Sequence, residues 1–325
     1  MKKILWILLC TAILLPGTAA NSAPVQTGSS MAMNEAKSAL ADGGYEKAFA
    51  GYHDAAIKDN NALAQFSLGL FYQNGWGRAI DKAAACQWFE KAALSGIPTA
   101  QHLTGICFEE GAHRPADSAQ AAFWYQKAAQ AGHIHSYCHL GNLLMTGNGA
   151  AKDPIKALEL CHPAALQGSV PAQIWMGKFY LQGDPSIRNM PQAYYWFTTA
   201  AQKQAPEALY YLGMIMQQST SEAITAEKAR LMFEQAAAHK YIPAYFQAGK
   251  HFYHAKPDPE TGRLSAEHLA KAYLWLAAAL QRSQDPEEII AAKAIMQEIL
   301  VIMPETWLAT LNQKVTQHLQ EQEQH

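Results

Sequence analysis

Six glycines recur at a fixed step of 36 residues: Gly69, Gly105, Gly141, Gly177, Gly213 and Gly249. Other columns keep the same step. Five residues before each glycine stand Ala64, Ala100, Ser136, Ala172, Ala208 and Ala244, and three after it stand Tyr72, Phe108, Leu144, Tyr180, Met216 and Phe252. In the first five units Ala85, Ala121, Ala157, Ala193 and Ala229 follow the glycine by sixteen, and an Ala-Ala pair comes soon after. A catalytic motif has no need of such repetition. A structural unit that cannot bury its apolar surface alone does, and a period in this range signals stacked repeats.

The spacing inside a unit is helical. Ala64, Leu68 and Tyr72 step by four, with Gly69 beside them; Ala85, Trp88, Phe89, Ala92 and Ala93 step by threes and fours. Each unit therefore reads as two helices, A and B, joined by a polar turn such as NGWGRAID or TGNGAAKD. Asp81 and Asp153 stand where helix B needs an N-cap. Gly96, Gly132 and Gly168 close helix B, and Pro98, Pro171, Pro206 and Pro243 fall where helix A begins and a missing N–H is harmless. Small residues on both helices let the backbones approach, and an aromatic side chain fills the remaining space.

The pattern Ala-x3-Leu-Gly-x2-Tyr, Gly-x-Gly, Asp-x2-Lys-Ala, Trp-Phe-x-Lys-Ala-Ala-x2-Gly resembles the SEL-like (Sel-one-like) repeat, a relative of the tetratricopeptide repeat, over residues 61–282. Units three and five depart from it, with Leu160-Cys161 and Met232-Phe233 in place of the Trp-aromatic pair, and unit six holds extra residues around KPDPETG. The resemblance implies an all-α, right-handed solenoid of six stacked helical hairpins. It also implies a non-catalytic adaptor that gathers protein partners.

The flanks are assigned by pattern. Lys2 and Lys3, the apolar run from Ile4 to Leu15 and the small residues Thr18-Ala19-Ala20 read as an export signal over residues 1–20, cleaved after Ala20. The run falls short of the ~20 residues a spanning helix needs, so no stable membrane insertion is expected once it is removed. Residues 21–33 read as a disordered leader, 34–60 as an N-terminal capping helix pair, and 283–325 as C-terminal capping helices with a polar tail. The expected location is periplasmic or secreted. A net charge of −2 with 16% charged residues gives no reason to expect nucleic acid or anionic lipid as a partner.

Four cysteines remain after the signal: Cys86, Cys107, Cys138 and Cys161. Cys86 and Cys107 lie equally far from the turn near residues 96–97, and Cys138 and Cys161 lie equally far from their own hairpin turn. Equal height is compatible with the pairs Cys86–Cys107 and Cys138–Cys161; four buried thiols in an alanine-rich core is the alternative. The stretch HIHSYCH offers His133, His135, Cys138 and His139 as nitrogen and sulfur donors for a metal, with a solvated helix start as the plainer reading. There is no Gly-x-Ser-x-Gly, His-Glu-x2-His or phosphate-binding loop. There is also no Ser-x2-Lys, the nucleophile that a penicillin-binding role, described for cysteine-rich members of the resembled family, would need. The chain is expected to be no enzyme and to need no cofactor.

In the resembled architecture helix A lines a concave face. Its outward positions are Phe66, Leu70 and Gln73; His102 and Glu109; Asn142; Lys178; Tyr210, Met214 and Gln217; and Phe246, Lys250, Tyr253 and His254. A mixture of aromatic, Met and polar side chains suits recognition of a protein or peptide by a monomeric scaffold. Inter-unit packing is the alternative for Phe66 and Phe246. Two rival functions stay open: a peptidoglycan-binding module, and a metal-binding or hydrolytic protein using His133–His139.

Overall fold

A computed structural model describes residues 28–218 and 222–320. The segment read as an export signal lies outside these residues, as does the leader up to residue 27. Residues 28–33 are not irregular: they form the start of the first helix. The described residues hold sixteen α-helices, one 3-10 turn and no strand.

The chain divides into two compact units, residues 1–81 and 82–325. The first contains α1 (Gly28–Ala41), α2 (Tyr45–Lys58) and α3 (Ala62–Asn74). Asn61 caps α3 by accepting a hydrogen bond from Ala64 N at 3.0 Å. Phe49, Tyr52 and Phe71 form the aromatic centre of this unit, and the Arg78 guanidinium lies 3.1 Å above the Phe49 ring.

The second unit begins with α4 (Lys82–Leu94) and continues through five hairpins: α5 (Pro98–Glu110) with α6 (Ser118–Gln130), α7 (Ile134–Thr146) with α8 (Pro154–Leu166), α9 (Val170–Gln182) with α10 (Met190–Ala201), α11 (Pro206–Gln217) with α12 (Glu222–Ala238), and α13 (Ile242–Tyr253) with α14 (Ala266–Arg282). It ends in α15 (Pro286–Ile302) and α16 (Leu308–Gln320). From α4 to α15 each helix packs against the next, as stacked hairpins must, and α15 and α16 both rest on α14. Side chains cap several of the helix starts: Asp117 accepts from Ala119 and Gln120, Asp153 from Lys156, and Asp285 from Glu287 and Glu288.

The glycine step is a packing requirement. A Cβ on Gly105 would lie 2.5 Å from the Tyr125 ring, one on Gly177 2.7 Å from Phe197, and one on Gly213 2.7 Å from Phe233. In these three hairpins an aromatic of helix B lies against the bare backbone of helix A; in the last, Leu276 of α14 meets Gly249 instead. The third repeat unit has Cys161 at the aromatic's place. There Cys138 of α7 and Cys161 of α8 form a disulfide with their Cα atoms 4.4 Å apart, while Cys86 of α4 and Cys107 of α5 form another at 5.7 Å. All four sulfurs lie in the core, on residues no more than 5% exposed.

A second column holds successive units together. Gln101 Nε2 donates to Ala93 O at 3.3 Å and Gln173 Nε2 to Ala165 O at 3.1 Å, so each glutamine satisfies a carbonyl near the end of the preceding helix B. The turn after helix B holds a left-handed residue in the first five units: Gly96, Gly132 and Gly168 at φ of 85–86°, then Gln204 at 57° and Lys240 at 65°. The last two carry a Cβ in a conformation that glycine adopts without steric cost.

Candidate functional site

In the second unit, neighbouring A helices are joined across their shared face by polar side chains. Between α5 and α7 the Ser136 hydroxyl sits between two imidazoles, 3.0 Å from His102 Nδ1 and 2.9 Å from His133 Nδ1. The hydroxyl has one proton to give and two lone pairs, so at least one ring donates to it and the tautomer of the other sets the second bond. The His102 ring centroid is 4.4 Å from that of His133, 5.0 Å from His139 and 5.6 Å from Tyr125. Burial, followed by the neighbouring His133, His139 and His135, pushes the His102 imidazole down to about 3. Burial and the same neighbours push His133 down as well. The fold thus favours the neutral form of His102 and His133.

At the rim of this cluster Tyr125 donates its hydroxyl proton to Glu109 Oε2 at 2.6 Å, and His139 Nδ1 lies 3.8 Å from the same oxygen. His139 first, then Tyr125, hold the Glu109 carboxyl below the usual carboxylate range, against the opposing effect of burial. Burial first, then Glu109, push the Tyr125 phenol up.

Farther along the same face Lys178 of α9 pairs with Glu207 of α11 at 3.1 Å, its ammonium 4.9 Å from the Trp175 ring centroid. His251 of α13 hydrogen-bonds Gln217 of α11 at 3.1 Å. Tyr253 of α13 donates to Glu298 of α15. Tyr210 packs edge-on to Phe233 and tilts against Tyr241, with centroids 5.8 and 5.4 Å away.

Set against the expected binding residues, this geometry makes distinctions that spacing alone does not. Asn142, Tyr210 and Met214 are half-buried on the A-helix face, and Gln217, Lys250 and His254 are exposed there. Glu109, Lys178 and Tyr253 are half-buried and engaged with neighbouring helices. Phe66, Leu70 and Gln73 lie on α3 in the first unit, the first two half-buried and the third exposed. Two residues do not fit the expectation. Phe246 is only 7% exposed and belongs to the core around Phe233 and Trp275, so it is a packing residue. His102 is 9% exposed beneath the other rings.

The donor set read from HIHSYCH is also corrected. The sulfur of Cys138 is bonded to Cys161 and supplies no thiolate. Among the described residues no group of three His, Cys, Asp or Glu side chains is placed to hold a metal ion.

Sequence reasoning missed the column two residues before the glycine. It places His139, Trp175 and Tyr211 in successive units on this face; His139 and Trp175 lie 6.3 Å apart, and Tyr211 joins Trp175 around the Lys178 ammonium. Three ring-bearing residues in a row at one register was the available signal.

No described helix is long and apolar enough to cross a membrane. No curated protein matches the chain. A Sel1 repeat protein from Oxalobacter formigenes superposes with a TM-score of 0.63 at 26% identity, over 78% of this chain and 99% of the other. A protective antigen of uropathogenic Escherichia coli displaying an SLR fold superposes at 0.62 and 22% identity, over 90% of this chain and 68% of the other. The Sel1 repeat model matches residues 62–97, 98–133, 134–169, 170–204 and 206–241, more than half of the sequence, and the chain belongs to the Sel1 repeat family.

Proposed function

We propose that this protein is an exported, non-catalytic scaffold that binds a protein or peptide partner along the A-helix face of its second unit. Sel1 repeat proteins are typically non-catalytic interaction scaffolds. The observation that carries the reading is the state of that face. Half-buried Ile106, Trp175, Tyr210 and Met214 offer apolar surface, while ties such as Lys178–Glu207 and Gln217–His251 already hold the helices beneath them. A face fixed before binding loses little conformational freedom on binding, and such faces bind well for their area. Two disulfides support delivery to an oxidising compartment, in keeping with the N-terminal segment read as a signal.

The test is photo-crosslinking in intact cells, with the reactive group placed at Met214 and, as control, at Glu159 on helix B. A specific adduct from position 214 alone is expected. It should disappear in an Ile106→Arg/Met214→Arg variant whose circular dichroism matches the parent. Equal adducts from both positions, or capture by the folded double variant, would remove this face from the account. Sedimentation of the protein with purified sacculi, unchanged in the double variant, would favour a wall-binding role instead.

A further inference from the structure

The hairpin of α13 and α14 differs from those before it by the extra residues between its helices, and these residues build a cavity. Tyr253 and His254 from the end of α13, Arg263 and Leu264 from the inserted loop, Leu269 of α14 and Ile302 at the end of α15 line a space of about 730 Å³. This lies within the range of ~300–1,000 Å³ common for ligand sites. The loop keeps a defined shape: Asp258 Oδ1 accepts from Glu260 N at 3.0 Å and Thr261 N at 2.8 Å, and Asp258 N donates to Arg263 O at 2.9 Å.

The chemistry of the lining has two parts. Leu264, Leu269 and Ile302 make an apolar wall, and Ile302 is 57% exposed, an aliphatic side chain that the fold leaves largely open. One cation, Arg263, lines the rim, and it takes part in no ion pair among the described residues. Asp258 is held by hydrogen bonds inside its own turn and Glu298 by the Tyr253 hydroxyl, and neither pairs with Arg263. An unpaired guanidinium beside an apolar wall calls for a carboxylate attached to an apolar group, because the planar fork matches a carboxylate. Arg263 and Leu264 line the same cavity, so cation and apolar wall face one space. In a chain-terminal residue the carboxylate and the side chain share one carbon, which matches that arrangement. An internal Asp or Glu sets its carboxylate at least one residue away from the apolar side chain.

We propose that this cavity anchors the C-terminal residue of a partner polypeptide, its large aliphatic or aromatic side chain against Leu264, Leu269 and Ile302 and its terminal carboxylate on Arg263. This deepens the scaffold reading and rests on it: the A-helix face takes the body of the partner, and the cavity takes its end.

The probes are fluorescein-labelled heptapeptide pools, degenerate upstream and ending in Leu or Phe. One pool carries a free terminal carboxylate, a second is amidated, and a third is amidated with an internal Phe-Asp pair. Binding to the full chain with disulfides intact is read by fluorescence anisotropy. The carboxylate pool should bind at least tenfold more tightly than the amidated pool. Arg263→Gln and Ile302→Asp should each abolish that preference, and both sites are exposed enough to leave folding unaffected. Equal binding of the first two pools, a preference for the internal acid, no binding of any pool, or a preference that survives Arg263→Gln would each overturn the proposal. If Arg263→Gln leaves cellular crosslinking from position 214 intact while Ile106→Arg/Met214→Arg abolishes it, the cavity falls and the scaffold reading stands.

Discussion

Replacing Gly177 by alanine sets two known effects against each other. Taken alone, the change should help, because glycine inside a helix is about 1 kcal/mol less favourable than alanine. The structure opposes this. The new Cβ would stand 2.7 Å from Cε1 and Cζ of Phe197 and 2.8 Å from Cδ1, where carbon atoms prefer ~3.5–4.0 Å. The ring must therefore retreat by about 1 Å. It has no room to do so: Phe197 is 0% exposed, packed with Ala193, Ala200, Ala208 and Leu212 and stacked on Tyr211 at 4.8 Å. Overpacking of this kind costs about 1–3 kcal/mol, so the net effect is a loss of about 1 kcal/mol, concentrated in α9 and α10. Because an array of repeats need not unfold in one step, amide hydrogen exchange of residues 193–200 is the better readout, with the urea midpoint as support. A second variant, Phe197→Leu, shortens the ring side chain. Alanine at 177 should then be tolerated, and the double-mutant cycle should give a favourable coupling of about 1 kcal/mol or more. A Gly177→Ala chain as stable as the parent or more so, or a coupling near zero, would refute the view that the 36-residue step exists to let a ring lie on bare backbone.

Gln204→Gly relieves a left-handed residue of its Cβ and should raise stability by about 0.5–1 kcal/mol, whereas Gly168→Ala at the equivalent turn, φ 85°, should lower it by about 1 kcal/mol or more; thermal melts of both variants check this. The His102 imidazole is held down to about 3 in the fold against 6.5 as an ordinary side chain, so the unfolded chain binds the extra proton. Its contribution is present above pH 6.5 and is lost as pH falls from there toward 3. After allowance for partial screening the loss is about 1–2 kcal/mol by pH 5, and a His102→Gln variant should show a flatter urea-midpoint profile between pH 7 and 5. Reduction of the disulfides, which join residues 21 and 23 positions apart, should cost about 3 kcal/mol each by loop entropy, measured as the fall in urea midpoint of the Cys86→Ala/Cys107→Ala and Cys138→Ala/Cys161→Ala variants.

The hairpins were legible because their signals are local and repeated. A glycine, an alanine five residues earlier and an N-cap such as Asp153 each act within a turn of helix, so period alone finds them. The open A-helix face was legible only in outline. The position three residues before each glycine gives half-buried Phe66, Ile174 and Tyr210 but buried His102, Cys138 and Phe246. That position lies at the border between open face and inter-unit seam. The side chains of the next unit decide which way it turns, and a periodicity of 3.6 residues carries no information about them. His102 goes under because His133 and His139 close over it, and Phe246 because the core around Phe233 and Trp275 takes it in. Nor does any period mark the cavity beside Arg263, since an insertion interrupts the repeat that would have revealed it.

The two cystines join consecutive cysteines along the chain: 86 with 107, then 138 with 161. Of these four cysteines, a polypeptide emerging from its N-terminus thus presents each sulfur atom to its correct mate before the next pair has appeared. Maturation then calls for an oxidant alone. The order of synthesis does the sorting that mispaired proteins must leave to an isomerase.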